Sequence, residues 1–303
     1  MPIAVEDVIG RVPLFAGRKD LQISPLGGGI TNQNYRIDIG DEAFALRIAG
    51  ANTDLLGIDR ENEHLANTYA AELGIAPEVL AFVRPEGYLV TRFLQQARPI
   101  PPEELRQPAT IRRVVEALHK IHAMPAVPGT FSPFRVVETY AETAARYGVR
   151  FPDSFEWLLG HKQQIETAFL KDPFTPRPCH NDLLNGNFLD DGQVRILDWE
   201  YAGMGDVFFD LANFAINHDF DDQQDRFLVE CYFGQATPAR MARLKLMKVM
   251  SDFRESMWGL LQIGISQLDF DFRGYADKHF ARMRAKIQDP GWSTWLLEVA
   301  HGA

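Results

Sequence analysis

The stretch from Cys179 to Asp210, CHNDLLNGNFLDDGQVRILDWEYAGMGDVFFD, constrains this chain more than any other. A polar loop, His180 to Asn187, runs into the apolar pair Phe188-Leu189. A turn follows at Asp190–Gln193, and a second apolar run, Val194 to Leu197, delivers Asp198. Asp-Gly between two apolar runs predicts an antiparallel hairpin. With the turn at Asp191-Gly192, Leu189 faces Val194 and Asn187 faces Ile196. Asp198 is then the diagonal neighbour of Asn187 on one face, about 7–8 Å away. Two oxygen-bearing side chains at that separation can share a hard cation such as Mg²⁺, whose ligands lie at roughly 2.0–2.1 Å. Asp182 belongs to the loop that enters the hairpin and can point at the same small volume. A base, an amide ligand and a carboxylate ligand at one hairpin end are what phosphoryl transfer from a nucleotide requires.

His180-x-Asp182-x-x-x-x-Asn187, followed by Ile196-Leu197-Asp198-Trp199-Glu200-Tyr201, resembles the choline/ethanolamine kinase and aminoglycoside phosphotransferase superfamily. The ordinary protein-kinase versions, H-R-D-L-x-x-x-N and D-F-G, are absent. The spacing from Asp182 to Asn187 is kept, and Trp199-Glu200 stands where Phe-Gly would be. The resemblance implies an α+β, bilobal, protein-kinase-like fold. A small N-terminal antiparallel sheet plus one helix would precede a larger, mainly helical C-terminal lobe carrying the catalytic hairpin. It also implies ATP as co-substrate and Mg²⁺, with Asp182 as catalytic base and Asn187 and Asp198 on the metal. His180 and Asp210 would be structural braces, Asp210 through the spacing of Glu200-Tyr201 and Asp210-Leu211-Ala212-Asn213. Glu200 would lie near the metal or near its ligands, on the substrate-binding side with Trp258 and Tyr275.

The bulk numbers agree with a soluble globular protein. Of 303 residues, 46% are hydrophobic and 24% charged, which places the chain among globular proteins with room for a bilobal domain. A net charge of −10 argues against a nucleic-acid partner, and any nucleotide must be held by local cations and metal. Only Cys179 and Cys231 occur, so no disulfide framework is implied. No basic-then-apolar leader and no apolar run of about 20 residues is visible, so the expected compartment is the cytoplasm.

Along the N-terminal part, Tyr35, Ile37 and Ile39 alternate with polar residues, Gly40-Asp41 turns the chain, and Phe44, Leu46 and Ile48 alternate again. Before them, Gly27-Gly28-Gly29-Ile30-Thr31-Asn32 makes a flexible turn whose N–H groups can meet phosphate. Gly28, Gly29, Thr31 and Asn32 are therefore expected ATP-binding residues, although a Gly-rich hairpin is also simply a hairpin. Arg47 lies on the strand face opposite Phe44, Leu46 and Ile48. The following helix, Ile58 to Leu73, ends at Gly74 with Pro77 beyond, and Glu61, Leu65, Tyr69 and Leu73 form one stripe. A carboxylate on an apolar stripe needs a cation, so Arg47 is expected to pair with Glu61, with Glu63 as the alternative, and the resemblance implies that Arg47, set by Glu61, neutralises the ATP phosphates. Arg92-Phe93-Leu94 closes another hairpin, and the backbone at Phe93 would be the hinge that meets adenine. The proline-rich segment Gln95 to Pro102 sets the lobe boundary, giving 1–95 as the nucleotide-binding lobe and 96–303 as the catalytic and substrate-binding lobe.

Beyond it the periodicity is helical. Ile111, Val114, Val115, Leu118 and Ile121 define one helix, whose His119 and His122 are expected to be structural. Two more helices, around 136–147 and 154–170, precede a loop with prolines at 173, 176 and 178. In a long helical pattern from Ala239 to about Leu268, Met257-Trp258-Gly259-Leu260 and the later Phe272 and Tyr275-Ala276 resemble the choline site of the same superfamily. There Trp258 and Tyr275 would hold a cationic substrate by cation–π attraction; on periodicity alone they are equally core aromatics. Three positions depart from the choline members: Gly205 and Asn217 replace an asparagine and an acidic residue, and Leu261 replaces a second tryptophan.

The resulting expectation is an ATP-dependent kinase that phosphorylates a hydroxyl of a small, cationic metabolite, choline or ethanolamine first. Thiamine or an aminoglycoside are alternative acceptors. A non-catalytic nucleotide-binding protein on the same fold would be expected to lack Asp182, Asn187 or Asp198, and a metallohydrolase built on His180 and Asp182 would want further histidines nearby.

Overall fold

The computed structural model describes residues 5–27, 32–50 and 52–302. It divides into two compact units, Met1–Ile100 with Gly186–Ala202, and Pro101–Asn185 with Gly203–Ala303. The division differs from the boundary expected at residue 95, and it counts the hairpin 186–202 with the first unit rather than the second.

In the first unit, β1 (Gln22–Leu26), β2 (Gln33–Ile39), β3 (Glu42–Ile48), β4 (Val79–Val83) and β5 (Tyr88–Arg92) form an antiparallel sheet in the order β1-β2-β3-β5-β4. The β2–β3 turn is two residues long, with Ile39 paired to Glu42 and Gly40 at φ +57, a conformation that favours glycine. Alternation sends Ile37, Ile39, Phe44, Leu46 and Ile48 to one face. A short helix α1 (Val5–Ile9) and the turn after it cover that face with Val8, Ile9, Val12 and Phe15. No periodicity announced this covering segment, because five residues are too few to show one.

Helix α2 (Arg60–Glu72) is capped by Asp59, whose carboxylate accepts the N–H groups of Glu61 and Asn62. It ends at Gly74, φ +70. Its buried residues are Asn62, Glu63, Ala66, Asn67 and Ala70, so the inward face is not the Glu61–Leu65–Tyr69–Leu73 stripe. Leu73 is 41% exposed. A three-stranded sheet joins β6 (Arg98–Pro99), β8 (Phe188–Asp190) and β9 (Val194–Ile196) in that order.

The second unit is mainly helical. A two-stranded ribbon of β7 (Arg177–Cys179) and β10 (Gly203–Gly205) accompanies α3 (Pro102–Leu105), α4 (Pro108–His122), α5 (Pro133–Arg146), α6 (Phe155–Lys171), α7 (Val207–Asn217), α8 (Asp222–Phe233), α9 (Pro238–Ile265), α10 (Phe272–Ile287) and α11 (Trp292–Ala300). Helix α9 is the axis: α5, α7, α10 and α11 pack on it, and from Arg243 to Gln262 every residue but Lys245 is buried. Five charged side chains share this burial, which is tolerable because each has a partner. Arg243 meets Asp206, Lys248 meets Asp225 at 2.7 Å, and Asp252 meets His279, Arg282 and Lys286. Arg254 and Glu255 are paired in the site below. Gly259 permits the close approach of α10, since a Cβ there would lie 3.1 Å from the Phe272 carbonyl and from Tyr275.

Candidate active site

In the first unit the site is built around one buried carboxylate. Glu63 projects from the first turns of α2 and is ion-paired with Arg47 of β3 and, at 2.7 Å, with Arg60. Its side chain is 1% exposed. The expected partner Glu61 instead sits at the solvent side of the helix start and pairs with the exposed Arg84. The reason lies in the cap: with Asp59 at the helix start, the inward positions are 62, 63, 66, 67 and 70, and small Ala66 and Ala70 line the buried face in place of larger residues. Burial works against the Glu63 charge, but Arg47 and Arg60 outweigh it and hold the carboxyl below the ordinary glutamate value. Burial likewise opposes the Arg47 charge, and Glu63, Asp198 and Glu200 more than offset that, raising the guanidinium above the ordinary arginine value.

The same cluster reaches the hairpin exit. Arg60 donates to Glu200 at 3.2 Å and to Asn32 Oδ1 at 3.2 Å, and the Asn32 side-chain amide donates to Glu200 at 3.0 Å. The Asn62 amide donates to the Ala202 carbonyl at 2.7 Å. Asn32, expected at the phosphates, is thus tied to Arg60 and Glu200, and also accepts the Gly50 N–H. Gly28, Gly29 and Thr31 lie outside the described residues. The Phe93 N–H is spent on the Ala43 carbonyl at 3.0 Å, and the Arg36 guanidinium lies over its ring. Within this first unit, no sequence signal singled out Arg60; it surfaces only once the cap of α2 is known.

The hairpin register differs by one from the expected one. Phe188 pairs with Ile196, Leu189 with Arg195 and Asp190 with Val194, so the loop is Asp191-Gly192-Gln193. Asp190 and Asp191 accept the Gly192 and Gln193 N–H groups, and Gly192 stands at φ +99. These side-chain bonds stabilise the longer turn. Asn187 therefore faces Leu197, whose N–H donates to the Asn187 carbonyl at 2.9 Å, and not Ile196. Asp198 follows in a left-handed turn, φ +64, with its side chain 34% exposed and Oδ1 3.7 Å from Arg47. Trp199 is buried, its indole N–H donating to the Ile196 carbonyl. Asn187 and Asp198 offer oxygen donors of the hard type that Mg²⁺ prefers.

In the second unit, the loop His180-Asn181-Asp182 hangs on Asp210. The Asp210 carboxylate accepts the His180 N–H at 2.9 Å and the Asn181 N–H at 2.7 Å, and Asn181 is left-handed at φ +66. His122 Nε2 lies 3.0 Å from Asp210, and Tyr232 Oη lies 2.6 Å from His122 Nδ1. Burial opposes the Asp210 charge, yet His122 and the loop N–H outweigh it, keeping the carboxyl below the ordinary aspartate value. An ionised Asp210 fixes the imidazole tautomer, with Nε2–H donating to Asp210 and Nδ1 accepting the Tyr232 hydroxyl. His180 Nδ1 accepts the Asp182 N–H at 3.2 Å, and Asn213 accepts the Leu183 N–H at 2.5 Å.

Asp182 is paired with Arg254 of α9, 3.0 Å from Oδ1 to Nη1. The same Nη1 donates to Glu255, whose other oxygen accepts the Tyr275 hydroxyl at 2.6 Å. Neither Arg254 nor Glu255 carried a motif, and α9 holds further charged residues, Arg240, Arg243, Lys245, Lys248 and Asp252, so no sequence signal set this pair apart. Trp258 and Tyr275 lie edge to face, 5.5 Å between ring centres, and Trp258 also packs on Phe272. Gly205, which departs from the choline members, lies in β10, where a Cβ would be 3.2 Å from the Phe131 carbonyl. Leu261 is fully buried in the core.

Residues 22–244 match the phosphotransferase enzyme family APH. The chain belongs to that family. The crystal structure of a choline/ethanolamine kinase family protein from Mesorhizobium loti is similar to this phosphotransferase at 32% identity and a TM-score of 0.85, covering 98% of each chain. Protein LicA of Haemophilus influenzae is 29% identical over 213 residues, spanning 69% of this phosphotransferase and 62% of LicA. Ethanolamine kinase 2 of Homo sapiens is 27% identical over 286 residues, covering 82% of this phosphotransferase and 71% of that protein. The fold of the phosphotransferase is accordingly kinase-like, an N-terminal antiparallel sheet followed by a mainly helical remainder.

Proposed function

We propose that this phosphotransferase transfers the γ-phosphoryl group of ATP to the hydroxyl of a small cationic alcohol, choline or ethanolamine before others. The observation that carries the reading is Arg47. Its guanidinium is anchored through Nη1 on Glu63, while Nε and Nη2 are buried with no hydrogen-bond partner among the described residues. Buried donors without acceptors are costly, and a polyphosphate would relieve that cost. Arg60 shares the anchoring of Glu63, so Arg47 keeps its charge for the nucleotide.

Asp182 would orient the acceptor hydroxyl and take its proton as the oxygen attacks. Arg254 fixes the carboxylate that does so. Asn187 and Asp198 would hold Mg²⁺, consistent with an amide and a partly exposed carboxylate on one hairpin. The ion supplies neutralisation of phosphate charge when bound. The chain's own contribution is positioning and fixed charge, with no covalent intermediate. A cationic acceptor suits the buried Glu255 beside Tyr275 and Trp258. The test is ADP release from ATP and Mg²⁺ with choline, ethanolamine, thiamine, homoserine and aminoglycosides. Turnover with a cationic alcohol, lost in Asp182→Ala by about 10²–10⁴-fold, is expected. ATP binding with no turnover on any acceptor, or a fully active Asp182→Ala, would overturn the proposal.

A further inference from the structure

Within the helical unit, a cavity of about 520 Å³ opens between β7, the end of α8 and the start of α9. Its size falls among small-molecule sites, roughly 300–1,000 Å³. None of its lining residues is assigned to ATP, Mg²⁺ or the acceptor above, although His122 and Tyr232 back the Asp182 loop through Asp210. The lining brings Arg177, Arg240 and Arg243 together with Phe208, Tyr232 and Phe233. Two carboxylates also line it, Asp172 and Asp206, and Arg243 pairs with both, at 3.3 and 2.8 Å. The one guanidinium offsets one of the two carboxylates. Arg177 and Arg240 remain: among the described residues no carboxylate pairs with either. Arg240 donates to the Gln235 carbonyl at 3.0 Å and lies over the Phe233 ring, which holds its guanidinium in place at the cavity wall. The lining as a whole sets three arginines against two aspartates, and in a chain of net charge −10 that local positive excess favours an anion.

The walls select its shape. Phe208 stacks on Phe233 at 4.8 Å, and His119 stacks on Tyr232 at 4.3 Å, so the cavity has a packed aromatic wall beside the guanidiniums. We propose that this cavity binds a small organic anion with a flat apolar body, a ring carrying one carboxylate or one phosphate ester. Arg177 and Arg240 take the anionic head and the aromatic walls take the ring.

The cavity is wired to the loop that carries Asp182. Tyr232 is part of its wall, and the Tyr232 hydroxyl donates to His122, His122 to Asp210, and Asp210 accepts the N–H groups of His180 and Asn181. A ligand that shifts the Tyr232 ring acts on the acceptor of the two peptide groups preceding Asp182. The binding claim does not depend on which reaction the enzyme performs; only the coupling does.

Benzoate, phenyl phosphate and neutral benzyl alcohol, titrated calorimetrically into the full-length protein saturated with ADP, test the proposal. One-to-one binding of at least one anion is expected, with the head preferred identified by which of the two binds. Arg177→Ala/Arg240→Ala should weaken it by about tenfold or more, and benzyl alcohol should bind as weakly to the wild type as the anions do to the variant. Tyr232→Phe should keep the binding and lose the effect of the bound anion on turnover. Should the double variant melt early, wild-type binding read against NaCl concentration substitutes for it: the anion weakens with salt and the alcohol does not. No saturable anion binding, equal binding by the double variant, or salt-independent binding would overturn the proposal.

Discussion

Asp182 and Arg254 form an ion pair at 3.0 Å with their side chains 9% and 2% exposed, and the same guanidinium nitrogen also holds Glu255. One cation thus serves two buried carboxylates. Arg254→Met would remove the guanidinium shared by two buried carboxylates, which costs about 3–5 kcal/mol. Urea denaturation is the measurement, and the Asp182→Asn/Arg254→Met double variant should recover part of the loss. A single-variant loss comparable to that of an exposed ion pair would mean that solvent reaches the pair.

The two glutamates of α2 separate cleanly. Glu63→Gln breaks a buried link to Arg47 and Arg60 and should lower stability by about 3–5 kcal/mol. Glu61→Gln removes an exposed contact with Arg84 and should leave the unfolding midpoint almost unchanged. Equal effects would contradict the pairing described above.

Acid sensitivity should be traceable to His218 in α7's C-terminal cap. Burial pushes its imidazole from 6.5 down to about 4, against the backbone bond to Phe214 and the nearby Asp219 that favour protonation. The folded-state value is depressed, so the stability it contributes is present above pH 6.5 and is lost as pH falls toward 4. The whole window is worth roughly 3 kcal/mol. His218→Gln should flatten the stability profile there, as read by urea midpoints at pH 7, 5.5 and 4.5; an unchanged slope would show that other groups carry it.

Magnesium dependence should report on the hairpin. Asn187→Ala is expected to raise the Mg²⁺ concentration for half-maximal turnover by about tenfold or more, and Asp198→Ala to abolish turnover, while neither greatly alters the melting temperature without metal. Chelation of Mg²⁺ should stop the wild type reversibly. If Asn187→Ala titrates like wild type, the amide is not a ligand.

Much of this architecture was legible because it rests on periodicity. The alternation in β2 and β3, the Gly40-Asp41 turn and the placement of Arg47 on the opposite face all follow from period-two patterning. The choice between Glu61 and Glu63 does not. Leu65, Tyr69 and Leu73 suggested one stripe, whereas the buried face of α2 is made of Ala, Asn and Glu, side chains whose burial depends on partners from distant segments. The one-residue register error has a similar origin: Asp190 and Asp191 bond the turn N–H groups and lengthen the loop, a side-chain effect that an Asp-Gly pattern leaves open. Likewise His122 carried no ligand spacing, because its partner Asp210 stands 88 residues away.

The segment 186–202 has a practical consequence for anyone dividing this gene. Cutting after Ile100 would not isolate the sheet-bearing unit, since β6 would lose its pairing with β8 and Arg60 would lose Glu200. The two halves are interleaved in translation order, so the ribosome completes the first only after the segment Pro101–Asn185 of the second has emerged. A soluble fragment of the first would need the hairpin grafted back through a designed linker.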